Sequence, residues 1–230
     1  VKERDGFATN PESIFITDGA SSGVKMLLNL IIRDGADGVM CPIPQYPLYS
    51  ASMALYGGSL VGYYLNEEKG WSMEVKELER AHGEATAKGV AVRAIAIINP
   101  GNPTGQCLPE SNMKEIVRFC VKNSLVLLAD EVYQTNIYSA TPFTAFRKVV
   151  KQMGAEAARL QLVSFHSVSK GFLGECGQRG GYFHLTNFED AVQAQLYKLA
   201  SISLCSNVTG QITVGLMVNP PQKGAASWDL

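Results

Sequence analysis

The sequence has few charges and almost no imbalance between them: Asp, Glu, Lys and Arg make up 18% of its 230 residues, and the formal net charge is -1. Soluble domains usually carry roughly 25% charged residues. So low a fraction points to much buried surface, in a core or against a partner subunit. There is no basic run and the pI is near 6.4, so the electrostatic footprint of a nucleic-acid binder is missing. No apolar stretch nears the ~18 residues that a bilayer span needs. The longest, around Ala94 to Ile98, suits a buried strand. Cysteine is scarce and unpatterned: Cys41, Cys107, Cys120, Cys176 and Cys205 form no CxxC pair. That argues against a disulfide framework or a zinc site and fits the reduced thiols of an intracellular protein. Repeats, low-complexity segments, linkers and a signal peptide are not seen either. The chain opens on Val1 and ends in mid-flow at Leu230, the expected look of a fragment.

Hydrophobic residues reach 46%, enough to bury a real core and too many for a disordered chain. Short apolar runs alternate with amphipathic stretches. The runs at Gly38 to Cys41, Leu60 to Leu65, Val92 to Ile98, Leu125 to Ala129, Leu160 to Phe165 and Gly181 to Leu185 read as strands. Helical patterns cover Ser21 to Arg33, Pro47 to Tyr56, Glu74 to Lys88, Glu110 to Lys122, Thr144 to Met153, Glu189 to Ile202 and Val208 to Val218. Near-continuous apolar strands between helices predict a three-layer α/β fold, a mostly parallel sheet with helices on both faces. Ligands of such sheets bind where loops leave the carboxyl ends of the strands. The informative loops are therefore those after Cys41, Ile98, Ala129 and Phe165.

Each of those loops carries candidate chemistry. After Phe165 comes His166-Ser167-Val168-Ser169-Lys170-Gly171, with Arg179 nine positions beyond the lysine. A lysine among small and hydroxyl residues, with an arginine in reach, suits a Schiff base beside a phosphate. Asp130 and Glu131 follow a strand of pure aliphatics. A buried carboxylate there needs a cationic partner such as a protonated pyridine nitrogen; the other reading is a helix N-cap. Asn99-Pro100-Gly101-Asn102-Pro103-Thr104-Gly105 forces an irregular turn, from which the Asn102 amide can reach a ring oxygen. Tyr46, among Pro42, Pro44 and Pro47, offers a rigid aromatic for stacking. Finally, Thr17-Asp18-Gly19-Ala20-Ser21-Ser22-Gly23 opens a helix whose free N–H groups suit an anion, or Ser21 or Ser22 simply caps it. Taken singly, each segment also fits an ordinary loop or cap.

The joint pattern is similar to that of the fold-type I aminotransferases, which depend on pyridoxal 5'-phosphate (PLP). More narrowly, TDGASSGV, PIPQYPLYSA, INPGNPTGQCL, ADEVYQ, SFHSVSKG, GECGQRGGYF and MVNPPQ resemble the alanine aminotransferase group, including the glutamate–glyoxylate aminotransferases of plants. The resemblance implies an aspartate-aminotransferase-like large domain over residues 1–230, with an N-terminal segment and a C-terminal small domain missing. It implies that Lys170 forms the internal aldimine and then moves the substrate proton. Asp130 keeps the pyridine nitrogen protonated, and Tyr133 and Asn102 bond the ring's phenolate oxygen. Tyr46 stacks on the ring; Ala20, Ser21, Ser167 and Arg179 hold the phosphate. The implied reaction exchanges amino groups between alanine or glutamate and 2-oxoglutarate, pyruvate or glyoxylate, in a homodimer with no metal. The implied arginine for the substrate carboxylate lies outside the chain. Another PLP reaction on the same scaffold, such as a lyase, and a non-catalytic PLP-fold sensor are the alternatives. His82 is expected to be solvated, His184 structural, His166 a neighbour of Lys170, and Cys176 a small residue in a tight loop.

Overall fold

The computed structural model describes residues 1–138 and 140–228. Its centre is one seven-stranded sheet, made of β1 (Ile14–Thr17), β2 (Asp37–Ile43), β3 (Ser59–Tyr64), β4 (Ala91–Ile98), β5 (Val126–Asp130), β6 (Leu162–Ser167) and β7 (Gly181–Thr186). The strand order is β1-β7-β6-β5-β4-β2-β3. From β3 to β6 every pairing is parallel, whereas β7 runs antiparallel to both β6 and β1. The helices are α1 (Lys2–Asp5), α2 (Ala20–Ile31), α3 (Leu48–Tyr56), α4 (Val75–Ala87), α5 (Glu110–Lys122), α6 (Phe146–Met153), α7 (Asp190–Ser201) and α8 (Val208–Val218).

Alternation along each strand divides the core between the two faces of the sheet. On one face Ile95 and Ile97 of β4 and Leu127 and Ala129 of β5 pack with Leu78 of α4, Ile116 of α5 and Val149 of α6. On the other, Ala94, Ala96 and Ile98 meet Leu27 and Leu28 of α2, Met53 of α3 and Leu196 of α7. The central strands are buried on both faces, which is why they read as unbroken apolar runs. The predicted three-layer α/β class is what the chain adopts.

All six predicted strands and seven predicted helices are present, with ends displaced by one to two residues in most cases. The helix expected from Thr144 starts at Phe146. The short edge strand β1 and the single-turn α1 were not anticipated. Four residues give too little alternation to reveal a strand such as β1.

From β2 the chain crosses to β3 on one side and then returns to lay β4, β5 and β6 on the other. The change of direction opens a crevice at the carboxyl ends of β2 and β4.

Candidate active site

A cavity of about 220 Å³ occupies that crevice, and every site residue assigned from the sequence lines it. Tyr46 comes from the loop after β2, Asn102 from the loop after β4, and Asp130 with Tyr133 from the end of β5. Ser167 and Lys170 come from the end of β6; Ala20 and Ser21 open α2, and Arg179 reaches in from the loop before β7.

Asp130 closes β5 and is buried to 5% exposure. No helix follows it, so the N-cap reading is set aside: Val132 to Thr135 form a turn. Its Oδ2 accepts from the Tyr49 hydroxyl at 3.0 Å. Burial pushes the carboxyl up to about 6, against the Tyr49 hydroxyl, the Val132 amide and the Lys170 charge, which pull it down. Tyr49 itself is fully buried, and burial beside Asp130 holds its phenol well above the usual range. The hydroxyl therefore remains a donor.

Tyr133 and Asn102, assigned from the sequence as partners, are bonded: Asn102 Nδ2 donates to the Tyr133 hydroxyl at 2.8 Å. With its oxygen filled as an acceptor, Tyr133 has its own proton to offer into the cavity. Lys170 Nζ lies 5.5 Å from the centre of the Tyr133 ring. The lysine is fixed from behind, because the next amide, Gly171 N, donates to Asn136 Oδ1 at 2.9 Å. Asn136 belongs to the same turn as Tyr133, its own N–H donating to the Tyr133 carbonyl.

The anion-binding end is built around α2. The helix starts at Ala20, so the Ala20 and Ser21 amides lie in the first turn, where no helix carbonyl reaches them. Neither serine caps the helix: Ser22 Oγ donates to the Asp18 carbonyl, and Ser21 Oγ accepts from Arg179 Nη2 at 3.3 Å. Arg179 has left-handed backbone, φ 47, and also donates to Ser169 Oγ at 3.2 Å and to the Cys176 and Asp18 carbonyls. Among the described residues no carboxylate pairs with it. Ser167 is the serine implied by resemblance, yet its hydroxyl donates to the Gly180 carbonyl and accepts from the Ser169 amide. Of these two serines at the end of β6, Ser169 is the one whose hydroxyl meets the guanidinium, as that of Ser21 does from α2.

Sequence reasoning missed Tyr49 and Ser169. Tyr49 stands in the first turn of α3, three residues after the loop residue Tyr46, and nothing in the local pattern tells where its hydroxyl goes. Ser169 sits one residue before Lys170. Cys176 is exposed, lines the cavity, and places Sγ 3.1 Å from the Ser169 carbonyl.

The histidines divide differently from expectation. His184 is buried within β7, as a structural residue should be. His82 is half-buried rather than solvated, edge-on to Phe119 at 6.0 Å. His166 shares with Lys170 the wall of a second cavity, also about 220 Å³, and packs edge-on to Tyr182. Burial pushes its imidazole down to about 4, so it is neutral at pH 7.

Comparison with known proteins bears on the family and the fold. Residues 2–227 match the family described as aminotransferase class I and II. The chain is 58% identical over 232 residues to a probable mitochondrial alanine aminotransferase of Dictyostelium discoideum, covering 100% of this chain and 43% of that protein. It is 54% identical over 231 residues to glutamate–glyoxylate aminotransferase 1 of Arabidopsis thaliana, covering 100% of this chain and 48% of that protein. The crystal structure of an aminotransferase from Escherichia coli superposes with a TM-score of 0.82 at 26% identity, over 96% of this chain and 52% of that one. The chain thus spans about half the length of the curated relatives it matches. With a family match over nearly its whole length, the chain belongs to the class I and II aminotransferases.

Proposed function

We propose that residues 1–230 form the large, cofactor-holding domain of a PLP-dependent aminotransferase, and that the protein exchanges amino groups between alanine or glutamate and a 2-oxo acid. Asp229 and Leu230 lie outside the described residues. The observation that carries this reading is the convergence of Lys170, Asp130, Tyr133, Asn102, Tyr46 and Arg179 on one cavity. The exposed Val208, Ile212 and Leu216 on α8, with the low charge fraction, support a homodimer.

The residues present fit the cofactor. Gly19, φ +81, has no side chain, and a Cβ there would lie 2.3 Å from Arg179 Nη2. The missing side chain lets the guanidinium lie against the first turn of α2, where free amides and the helix dipole favour an anion. Asp130 is a buried carboxylate that gains from a cationic partner. Tyr46 lines the cavity and is 48% exposed.

In this reading Arg179, Ser169 and the Ala20 and Ser21 amides would hold the phosphate, with Ser167 behind them steadying the Ser169 amide. Tyr46 stacks on the ring, Asp130 accepts the pyridine N–H, and Tyr133, steadied by Asn102, donates to the phenolate oxygen. Lys170 Nζ would hold the cofactor at its aldehyde carbon. When bound, the cofactor supplies an electron sink that makes the α-proton of an amino acid acidic. With that chemistry supplied, Lys170 Nζ would take the proton as general base and return it as general acid.

A half-reaction tests this. The full-length protein that contains residues 1–230 is loaded with PLP, freed of excess, and mixed with L-alanine or L-glutamate. One 2-oxo acid should appear per bound cofactor, and none with Lys170→Ala. Bound cofactor that yields no 2-oxo acid from either donor contradicts transamination and favours a binding module.

A further inference from the structure

Glu131 follows Asp130 directly, yet its side chain leaves the strand end in the other direction and takes no part in the cavity wall. It is 0% exposed. Its Oε1 accepts from the Phe146 amide, the first residue of α6, at 2.7 Å. A carboxylate at a helix start satisfies an amide that the helix cannot and meets the positive end of the dipole. Its Oε2 lies 3.5 Å from Arg4 Nη1.

Arg4 is in turn locked in place. Its Nε donates to Asp5 Oδ1 at 2.7 Å, and its Nη1 to Gln134 Oε1 at 3.2 Å. Asp5 Oδ2 also accepts from Arg147 Nη1 of α6 at 3.0 Å, and Arg147 Nη2 donates to the Ala8 carbonyl. Two arginines and two acids thus balance in charge beneath the surface and fasten the segment 1–8 to the turn after β5. Buried charges are tolerated only when paired, and taking one away leaves its partner exposed to the full cost of burial.

The turn held in this way is the one that presents the site. Gln134 closes it by donating from both its amide and its side chain to the Glu131 carbonyl. Asp130 lies immediately before Glu131, and Tyr133 two residues after. The mechanism above makes no use of Glu131, Arg4, Asp5 or Arg147.

We propose that Glu131 is a positioning residue: clamped between Arg4 and the α6 amide, it holds Asp130 and Tyr133 at the places the cofactor's ring nitrogen and phenolate oxygen require. The inference rests on the cofactor reading of the cavity. Burial pushes the Glu131 carboxyl up to about 7, with Arg4 and the Phe146 amide pulling it down and Asp5 and Asp130 pushing it further up. Tyr182 of β7 also faces the cluster. Without Arg4 the carboxylate would be hard to keep ionised.

The test compares wild type, Glu131→Gln, Arg4→Gln and Val149→Ala, the last loosening α6 without touching the clamp. Three quantities are read on each: the thermal midpoint of the cofactor-free chain, the PLP dissociation constant, and the pH midpoint of the bound cofactor's visible band. A hydroxyl donating to the phenolate lowers that midpoint, so a displaced Tyr133 raises it. Glu131→Gln and Arg4→Gln should each weaken PLP about tenfold and move the band midpoint upward, while Val149→Ala lowers only the thermal midpoint. Arg4, with a side chain 25% exposed, decides the matter if Glu131→Gln fails to fold. Wild-type dissociation constant and band midpoint in the clamp variants, with only the thermal midpoint lowered, would overturn the proposal. A wild-type chain that shows no cofactor band would instead overturn the cofactor reading, and this inference with it.

Discussion

Tyr49 donates its hydroxyl proton to Asp130 Oδ2 across 3.0 Å, with both side chains out of water. The bond is one of three influences that keep a buried carboxylate from rising further than about 6. It also fixes which Asp130 oxygen is left to face the cavity.

Asp130 costs the cofactor-free chain stability. Its folded pKa lies above the usual carboxylate value of 3.8, so the folded state binds more protons than the unfolded one between those two values. Its contribution to stability therefore falls as pH rises from about 4 to about 6 and stays low above that. Asp130→Asn should raise the thermal midpoint of the cofactor-free chain at pH 7 and flatten that pH dependence, while abolishing tight PLP binding. Tyr49→Phe should do the reverse, costing about 1–3 kcal/mol at pH 7 because a buried acceptor loses its donor. Thermal melts between pH 4 and pH 8 check both signs.

Gly19 is required twice over, by its φ of +81 and by the guanidinium lying where a Cβ would be. Gly19→Ala should lower stability by about 1 kcal/mol from backbone strain. It should also weaken PLP far more than pyridoxal, which has no phosphate. Arg179→Lys should show the same selectivity, because an ammonium cannot serve Ser21, Ser169 and an anion with one planar fork. Equal losses for PLP and pyridoxal would place the phosphate elsewhere.

Asn136 ties the Tyr133 turn to the residue after Lys170. Asn136→Ala should leave the fold intact and loosen the lysine. The expected result is a several-fold slower capture of PLP by Lys170, read as the rise of the visible band in stopped flow. An unchanged rate would show that the loop is held by its other contacts, such as the Ser169 amide on Ser167 Oγ.

Most of the strands and helices, and most of the residues that line the cavity, were legible in the sequence; the contacts that hold them in place were not. Lys170, Asp130, Asn102, Tyr46 and Arg179 stand at strand ends among glycines and prolines, where polar residues interrupt apolar runs. Tyr49 was hidden because a tyrosine within a helix reads as packing, and only the structure shows where its hydroxyl goes. The clamp was hidden for the opposite reason. Arg4, Asp5 and Arg147 stand in no motif, and nothing local in the sequence says that segment 1–8 folds over the turn after β5. The antiparallel direction of β7 was likewise beyond reach, because a strand's apolar pattern is the same whichever way it runs. The parallel strands announced themselves through burial on both faces, with Ile95 and Ile97 on one side and Ala94, Ala96 and Ile98 on the other.

The account stands on Lys170 as the residue that holds the cofactor, and reductive trapping tests that directly. The chain is saturated with PLP, treated with borohydride, digested, and its peptides weighed, with inorganic phosphate added in a parallel sample as competitor. The account predicts one reduced cofactor per chain, fixed to the peptide containing Lys170, lost in Lys170→Ala and slowed by phosphate. Label spread over surface lysines, or retained in Lys170→Ala, would contradict it.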